Sequence, residues 1–215
     1  GGLSLTFGGV LFMHNYEGGG ELLSLGVLTI LYVMFTWWRD IVREGLFEGQ
    51  HTIAVQQGLR MGMILFIVSE VMFFFAFFWA FFTSSISPVF NIGGVWPPTD
   101  IIAISPWGLP FLNTILLLSS GASVTWAHHA IVGGFKKEAM AALGITLVFA
   151  VAFTAMQAFE YSAPPFGMSD SVYGSVFYMA TGFHGFHVII GTIFLVIWTF
   201  RLFLYHFSPQ HHFGF

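Results

Sequence analysis

The amino-acid sequence predicts an all-α fold, a polytopic bundle of transmembrane helices. Of its 215 residues, 56% are hydrophobic and 7% are charged, whereas about a quarter of the residues are charged in a typical soluble domain. Five apolar segments reach the length of roughly 20 residues that a helix needs to cross a bilayer. The six lysines and arginines cluster between these segments or at their ends, a sorting of charge that a water-soluble fold does not require.

The segments follow one another along most of the chain. The predicted spans are residues 22–38, 61–83, 109–131, 139–160 and 172–204. Residues 1–13 are apolar but too short to cross a bilayer. We interpret them as the end of a partial first helix, because the alternation of charge requires a crossing before His14. The chain also lacks an initiator methionine, which indicates a missing start.

The connections between the spans suggest two parts. A polar stretch at residues 39–44 marks the boundary between a two-helix N-terminal arm, residues 1–57, and a main helix bundle, residues 58–215. Its opposite charges are dense enough to form local ion pairs. Residues 84–106 contain four prolines and predict a longer, ordered loop.

Charge predicts the orientation in the membrane. If the spans alternate in direction, every basic residue lies on one face: Arg39, Arg43, Arg60, Lys136, Lys137 and Arg201. The opposite loops carry acidic residues: Glu17, Glu21, Asp100, Glu160 and Asp170. The positive-inside rule then places the basic face in the cytoplasm or the mitochondrial matrix. The absence of a larger basic patch argues against a nucleic-acid partner, and the absence of cysteine excludes disulfides and thiolate metal sites.

Glu70 is the ionisable residue of the predicted span at residues 61–83, which is the third helix when the partial first helix is counted. An ionised carboxylate at that depth costs about 3 kcal/mol or more, and burial favours the protonated form. Two interpretations remain open for this residue. It is either a proton-linked or partner-contacting site, or a protonated acid that is hydrogen-bonded inside the bundle.

Nine histidines raise the question of a metal or haem site. The side chains of His128 and His129 leave a helix about 100° apart and cannot share one metal ion. His184 and His187 share a helix face, but His184 lies at a different membrane depth from His128 and His129. We therefore expect no redox metal in this chain and interpret the histidines as packed, hydrogen-bonded groups.

Indole, imidazole and guanidinium groups, together with one carboxyl group, converge at headgroup level on the basic side. They belong to Trp37, Trp38, Arg39, Arg43, Glu44, His51, Arg60, Arg201 and His206. Because arginine binds phosphate with two N–H donors, this set predicts a phospholipid site. The alternative is the ordinary enrichment of aromatic and basic side chains at membrane interfaces.

Several short runs occur in a characteristic order. They are Trp37-Trp38-Arg39-Asp40, His51-Thr52, Ala54-Val55-Gln56, Gly58-Leu59-Arg60, Ser69-Glu70-Val71, Phe78-Trp79-Ala80-Phe81, Trp96-Pro97-Pro98, Thr125-Trp126-Ala127-His128-His129, Thr181-Gly182-Phe183-His184-Gly185 and His211-His212-Phe213-Gly214-Phe215. Together they resemble subunit III of the aa3-type haem-copper cytochrome c oxidases. The resemblance covers essentially the whole chain in family order.

This resemblance implies a non-catalytic subunit of the mitochondrial inner membrane or, alternatively, of the bacterial plasma membrane. It would pack on catalytic subunit I, support oxygen reduction and proton pumping there, and meet cytochrome c only through the complex. Haem a, haem a3 and copper would lie in partner subunits. Phospholipids would fill the cleft of a V formed by the two-helix arm and the bundle.

The resemblance also assigns roles to residues. Glu70 matches the buried glutamate of the family's third helix. The lipid-facing positions of the family match Trp38, Arg43, Glu44, His51, Arg60, Arg201 and His206. This sequence ends before the position of the family's Trp-rich seventh helix, which is therefore not expected within it, and Thr83 and Gln50 replace histidines.

Two rival functions find less support in the sequence. A free-standing transporter or proton channel would use Glu70 and His184 in a polar path, but the third span offers only Ser69 and Glu70 for one. The third subunit of a related quinol oxidase lacks the first two helices, and the run from Trp37 to Asp40 argues against that assignment.

Overall fold

The structure, a computed structural model, describes residues 1–215 and is entirely helical. Its helices are α1 (Gly2–Met13), α2 (Gly19–Leu46), α3 (Ile53–Ile86), α4 (Leu109–Val132), α5 (Lys136–Ser162) and α6 (Val172–Phe203), with a 3₁₀ helix at Phe90–Ile92. By length and composition, the five helices α2 to α6 are suited to cross a membrane. The predicted all-α, multi-pass class is therefore confirmed.

The chain divides into two compact units, Gly1–Gly62 and Met63–Phe215. The first contains α1, α2 and the start of α3. The second contains the rest of α3 and α4 to α6. The predicted division after residue 57 stays a prediction.

A glycine-packed hairpin of α1 and α2 forms the core of the first unit. Its turn uses left-handed backbone at Asn15 (φ 57°) and Gly18 (φ 78°). Gly8 on α1 and Gly19 and Gly26 on α2 lie where a Cβ atom would overlap the backbone of the other helix. Such close approach of small residues is a main means of helix association in lipid, where the hydrophobic effect does not drive helices together.

The helices α2 and α3 are longer than the sequence predicts, at the two ends that the connection between them joins. α2 continues past Trp38 to Leu46, and α3 begins at Ile53, so Arg60 lies inside α3 rather than just before it. Both predicted ends were wrong because hydropathy marks the edge of the lipid, whereas helical hydrogen bonding continues through the headgroup layer. The expected local ion pairing is confirmed for Arg39 and Asp40, whose side chains meet at 2.7 Å.

Small residues of α4 and α5 form the core of the second unit. Its buried residues are Ala127, Ala130, Ile131, Ala139, Ala142, Leu143 and Leu202. The hydroxyls of Ser123 and Thr146 meet at 2.7 Å across the two helices. Ser123 and Ala127, one turn apart on α4, are both buried.

The remaining connections are ordered by caps and aromatic rings. The Ser171 hydroxyl accepts a hydrogen bond from the Tyr173 N–H (3.2 Å) at the start of α6. In the loop between α3 and α4, the Trp96 ring packs on Phe81 of α3 (5.9 Å between centroids) and on Tyr173 of α6 (5.3 Å). The loop is held against the ends of two helices, as its prolines indicate.

Large side chains connect α3 to α6. The ring of Phe183 on α6 packs against Phe73 (4.9 Å between centroids) and Phe77 (5.3 Å) of α3. No residue of α3 is fully buried. This helix therefore presents most of its apolar surface outward, and its contact with α6 positions the candidate site described next.

Candidate functional site

A carboxyl–imidazole pair lies at the contact of α3 with α6. The Oε2 atom of Glu70 is 2.6 Å from Nε2 of His187. The Nδ1 atom of His187 is 2.6 Å from the backbone carbonyl oxygen of Phe183. The structure thus brings together Glu70, which the sequence singles out, and His187, which the sequence does not link to it.

The geometry determines the proton count of this pair. A carbonyl oxygen only accepts hydrogen bonds, so Nδ1 of His187 carries a proton and donates it to Phe183. The short contact between Nε2 and Glu70 then requires one further proton between them. It belongs either to an imidazolium that donates to a carboxylate or to a carboxylic acid that donates to a neutral imidazole. The contact between Glu70 and His187 therefore contains one shared proton.

Aromatic rings surround the imidazole. The centroid of the His187 ring is 5.0 Å from Phe74, 6.1 Å from Phe186 and 6.2 Å from Phe73. Such an apolar setting strengthens the interaction between the two polar groups. It also makes separation of their charges costly, so the pair is expected to stay intact.

The pair is accessible from one side. The side chains of His187 and Glu70 remain 34% and 29% exposed. An open groove of about 360 Å³ runs along one face of α3 beside Glu70. Its lining is Ile67, Glu70, Val71, Phe74, Phe75 and Phe78. Glu70 is thus the single ionisable group on an otherwise apolar helix face.

The proposed polar path through Glu70 and His184 does not form. Glu70 binds His187 instead, and the His184 ring packs edge-on against Phe153 of α5, with centroids 5.9 Å apart. The hydroxyl of Ser69 donates to the backbone of its own helix at Phe66 (2.6 Å). The polar path that a transporter or channel would need is therefore absent, and that function is not favoured.

A second candidate region lies in the first unit, around the end of α2. The chain after α2 folds back, with the Gln50 N–H donating to the Glu44 carbonyl (3.0 Å). The His51 ring lies so close to Gly45 that a Cβ there would contact it. His51 thereby approaches the helical turn that carries Arg43 and Glu44. Trp38, on the preceding turns of α2, is 42% exposed.

A third candidate region lies at the end of α6 in the second unit. The Arg201 guanidinium lies over the Phe207 ring, 4.7 Å from its centroid. Burial lowers the pKa of the His206 imidazole, and the positive charge of Arg201 lowers it further. Arg201 Nε and His206 Nδ1 are buried and have no hydrogen-bond partner. These two nitrogens therefore lie inside the protein without a partner.

No three histidine, cysteine, aspartate or glutamate side chains are arranged so that they could hold a metal ion. His128 packs against His129 (5.9 Å between ring centroids) and His212 (5.4 Å), and stacks on Phe215 (5.6 Å). This histidine has an aromatic packing role, in agreement with the interpretation of the histidines as packed groups.

The fold and these sites define a multi-pass membrane protein of the helical-bundle class, with one titratable pair inside the bundle and polar groups gathered at helix ends. The chain belongs to the cytochrome c oxidase subunit III family, whose sequence profile matches residues 1–215. It is a non-catalytic subunit of the oxidase, and the redox centres belong to other subunits.

Individual relatives agree with this assignment. Cytochrome c oxidase subunit 3 of Pylaiella littoralis is 87% identical over 215 residues, which are all of this chain and 79% of that protein. The protein of the same name from Prototheca wickerhamii is 62% identical over 210 residues, 98% of this chain and 80% of the relative. That from Arabidopsis thaliana is 60% identical over 215 residues, all of this chain and 81% of the relative.

Proposed function

We propose that this subunit packs on the catalytic subunit I of the oxidase and sustains its oxygen reduction and proton pumping. The observation that carries the proposal is the contact between Glu70 Oε2 and His187 Nε2 (2.6 Å) beside an open apolar face of α3. An apolar helix face that is accessible from outside suits a neighbouring membrane helix or lipid. A titratable pair at membrane depth suits a proton-linked role.

Copurification tests this proposal. An oxidase isolated through a tag on this chain should contain subunit I with haem a, haem a3 and copper in stoichiometric amounts, and should reduce oxygen with electrons from cytochrome c. Isolation of the chain without any haem-containing partner, from membranes solubilised in mild detergent, would argue against the packing role.

Phospholipid is the second part of the proposed function. The residues proposed to contact it are Trp38, Arg43, Glu44, His51 and Arg60 in the first unit and Arg201 and His206 in the second. Two features support the proposal: the exposed indole of Trp38, and the position of Arg201 in the last turn of α6. A guanidinium and an imidazole are both donors to phosphate.

Lipid analysis of the purified oxidase tests this part. Each basic contact with a phosphate contributes about 1 kcal/mol near the membrane surface. The double substitution Arg43→Ala and Arg201→Ala should therefore reduce the phospholipid retained and shorten the working life of the complex. Lys137→Ala, which removes an exposed basic residue outside the proposed set, is the matched control. Unchanged lipid content in the double variant would refute the assignment.

We further propose that the protein resides in the mitochondrial inner membrane with its basic loops facing the matrix. The matching relatives from plants and algae and the positive-inside rule support this location. The chain contains no cysteine, so a single cysteine introduced at Lys137 is its only labelling site. Intact mitochondria and inverted inner-membrane vesicles are labelled separately, and the chain is isolated afterwards. Labelling from the intermembrane side rather than the matrix side would reverse the orientation.

A further inference from the structure

A buried polar contact between α4 and α5 has no part in the function proposed above. It lies at the end of the second unit where α5 ends. Asn113 of α4 is 5% exposed, and Glu160 of α5 is 7% exposed. The Asn113 Nδ2 atom donates to the Gln157 Oε1 atom across the two helices (3.4 Å). Asn113 Oδ1 and Glu160 Oε2 are buried oxygens without any hydrogen-bond partner.

Both unpartnered oxygens lie at the same end of the second unit. Asn113 is near the start of α4, and Glu160 is near the end of α5. Gln157, whose side-chain oxygen accepts from Asn113, is three residues before Glu160, so the two share a face of α5. Two hydrogen-bond acceptors are thus buried at this end, and neither has a donor.

No cation compensates the carboxyl group of Glu160. The basic residues of the second unit lie at the other end of these helices, where α5 begins at Lys136 and α6 approaches its end at Arg201. The imidazole of His184 packs on Phe153, which is two turns from Glu160 along α5, or about 10 Å at 1.5 Å per residue.

The other titratable groups at this end are neutral or acidic. The Tyr161 hydroxyl donates to Thr181 (2.6 Å) and the Tyr178 hydroxyl to the Phe166 carbonyl (3.0 Å). Tyr173 packs its ring on Trp96. Asp170 accepts a hydrogen bond from the Gly167 N–H (2.6 Å). None of them supplies a positive charge to Glu160.

We propose that Glu160 is a proton-binding site and is a neutral carboxylic acid in the folded protein at neutral pH. A buried carboxylate without a cation or donor is far less favourable than its protonated form. A proton also converts one oxygen of Glu160 from an acceptor into a donor. Unlike the proton of Glu70, this proton is not shared with an imidazole.

Infrared difference spectroscopy of the full chain in lipid at neutral pH tests the proposal. The carbonyl band of a protonated carboxyl group, which is distinct from carboxylate bands, should be present, should shift in D2O and should be absent from Glu160→Gln. Glu17→Gln, which changes an acid in an exposed turn, should remove carboxylate bands instead. Carboxylate bands in the wild-type minus Glu160→Gln difference would overturn the proposal.

A second variant covers the case in which Glu160→Gln does not fold. Glu160→Asp keeps an acid at the position. The wild-type minus Glu160→Asp difference should show one carbonyl band replaced by another at a shifted frequency. A pair of shifted carboxylate bands in that spectrum would show an ionised group and would contradict the proposal.

Discussion

At the scale of single residues, the hydrogen-bond partners of His187 limit what Glu70 can do. The backbone of Phe183 holds Nδ1 as a donor, so Nε2 is left to exchange a proton with the Glu70 carboxyl group. Loss of that proton would place a carboxylate and the lone pair of an imidazole 2.6 Å apart. The contact between the two side chains therefore depends on that proton.

Replacing Glu70 by glutamine should alter proton handling without stopping oxygen reduction. The amide keeps the shape of the side chain and can still bond to His187, but it removes the titratable carboxyl group. In the assembled oxidase we expect the oxygen-reduction rate to stay within about tenfold of wild type, a change of less than about 1.4 kcal/mol. Proton pumping measured alongside should change.

Glu138→Gln provides a control, because Glu138 is an exposed acid in the first turn of α5. It should leave both measurements unchanged. Complete loss of oxygen reduction in Glu70→Gln, with assembly intact, would mean that this subunit contributes to the active site.

His206 should make the segment after α6 sensitive to acid. Burial and the charge of Arg201 lower its pKa in the folded protein, whereas the unfolded chain has the ordinary value of about 6.5. The unfolded state therefore binds more protons, and His206 stabilises the fold above about pH 6.5 relative to more acidic conditions. This contribution is lost progressively as the pH falls below about 6.5.

Hydrogen exchange of residues 204–215 between about pH 7.5 and 5.5 measures this effect, after correction for the intrinsic pH dependence of exchange. Protection should fall with pH in the wild type and less so in His206→Gln. His14→Gln, which changes an exposed histidine of the first unit, should behave as the wild type does. Identical pH profiles for the wild type and His206→Gln would contradict the proposed coupling to Arg201.

At the scale of helices, the hairpin of α1 and α2 depends on glycines that touch backbone. Gly8→Ala places a Cβ against the backbone of Leu23, which cannot move aside as a side chain can. Overpacking of this kind costs about 1–3 kcal/mol. The neighbouring Gly9 has only a side-chain atom of Leu23 within reach, 3.9 Å from the position of a Cβ. Gly9→Ala should be neutral or stabilise the helix by about 0.5–1 kcal/mol.

The unfolding of both variants in detergent or bicelles provides the comparison. Gly8→Ala should unfold at lower denaturant concentration than the wild type, and Gly9→Ala should not. Equal stability of the two variants would argue against close packing of α1 on α2.

The extent of each helix could be predicted only in part from sequence. The ends of α4, α5 and α6 agree with their apolar segments, because glycines, prolines and Ser171 stop or start the helices close to the lipid edge. The end of α2 and the start of α3 could not be found in this way. Residues 39–46 are polar, yet they satisfy their backbone hydrogen bonds within α2.

The partner of Glu70 could have been predicted with one further step. Glu70 lies near the middle of α3 and His187 near the middle of α6, so the two groups match in membrane depth. His184 is one turn closer to the start of α6. The choice between the two histidines depends on the rotation of α6, which a nearly uniformly apolar helix does not reveal in its sequence.

At the scale of the whole molecule, the sequence establishes the class because the lipid imposes it. A chain with 7% charged residues satisfies its backbone polar groups in lipid by forming helices. Family membership follows from motifs spread over residues 1–215. Two features are not apparent in the sequence, since they depend on how helices are rotated against each other. They are the glycine contacts of α1 and α2 and the unpartnered oxygens of Asn113 and Glu160.

The most direct measurement compares haem absorption and oxygen consumption of the oxidase before and after removal of this subunit in mild detergent. A non-catalytic supporting role predicts that all haem absorption stays with the remaining subunits, that oxygen reduction begins at a substantial rate, and that activity then declines faster during turnover. Departure of haem with the removed chain, or immediate and complete loss of oxygen reduction in an otherwise intact complex, would contradict that role.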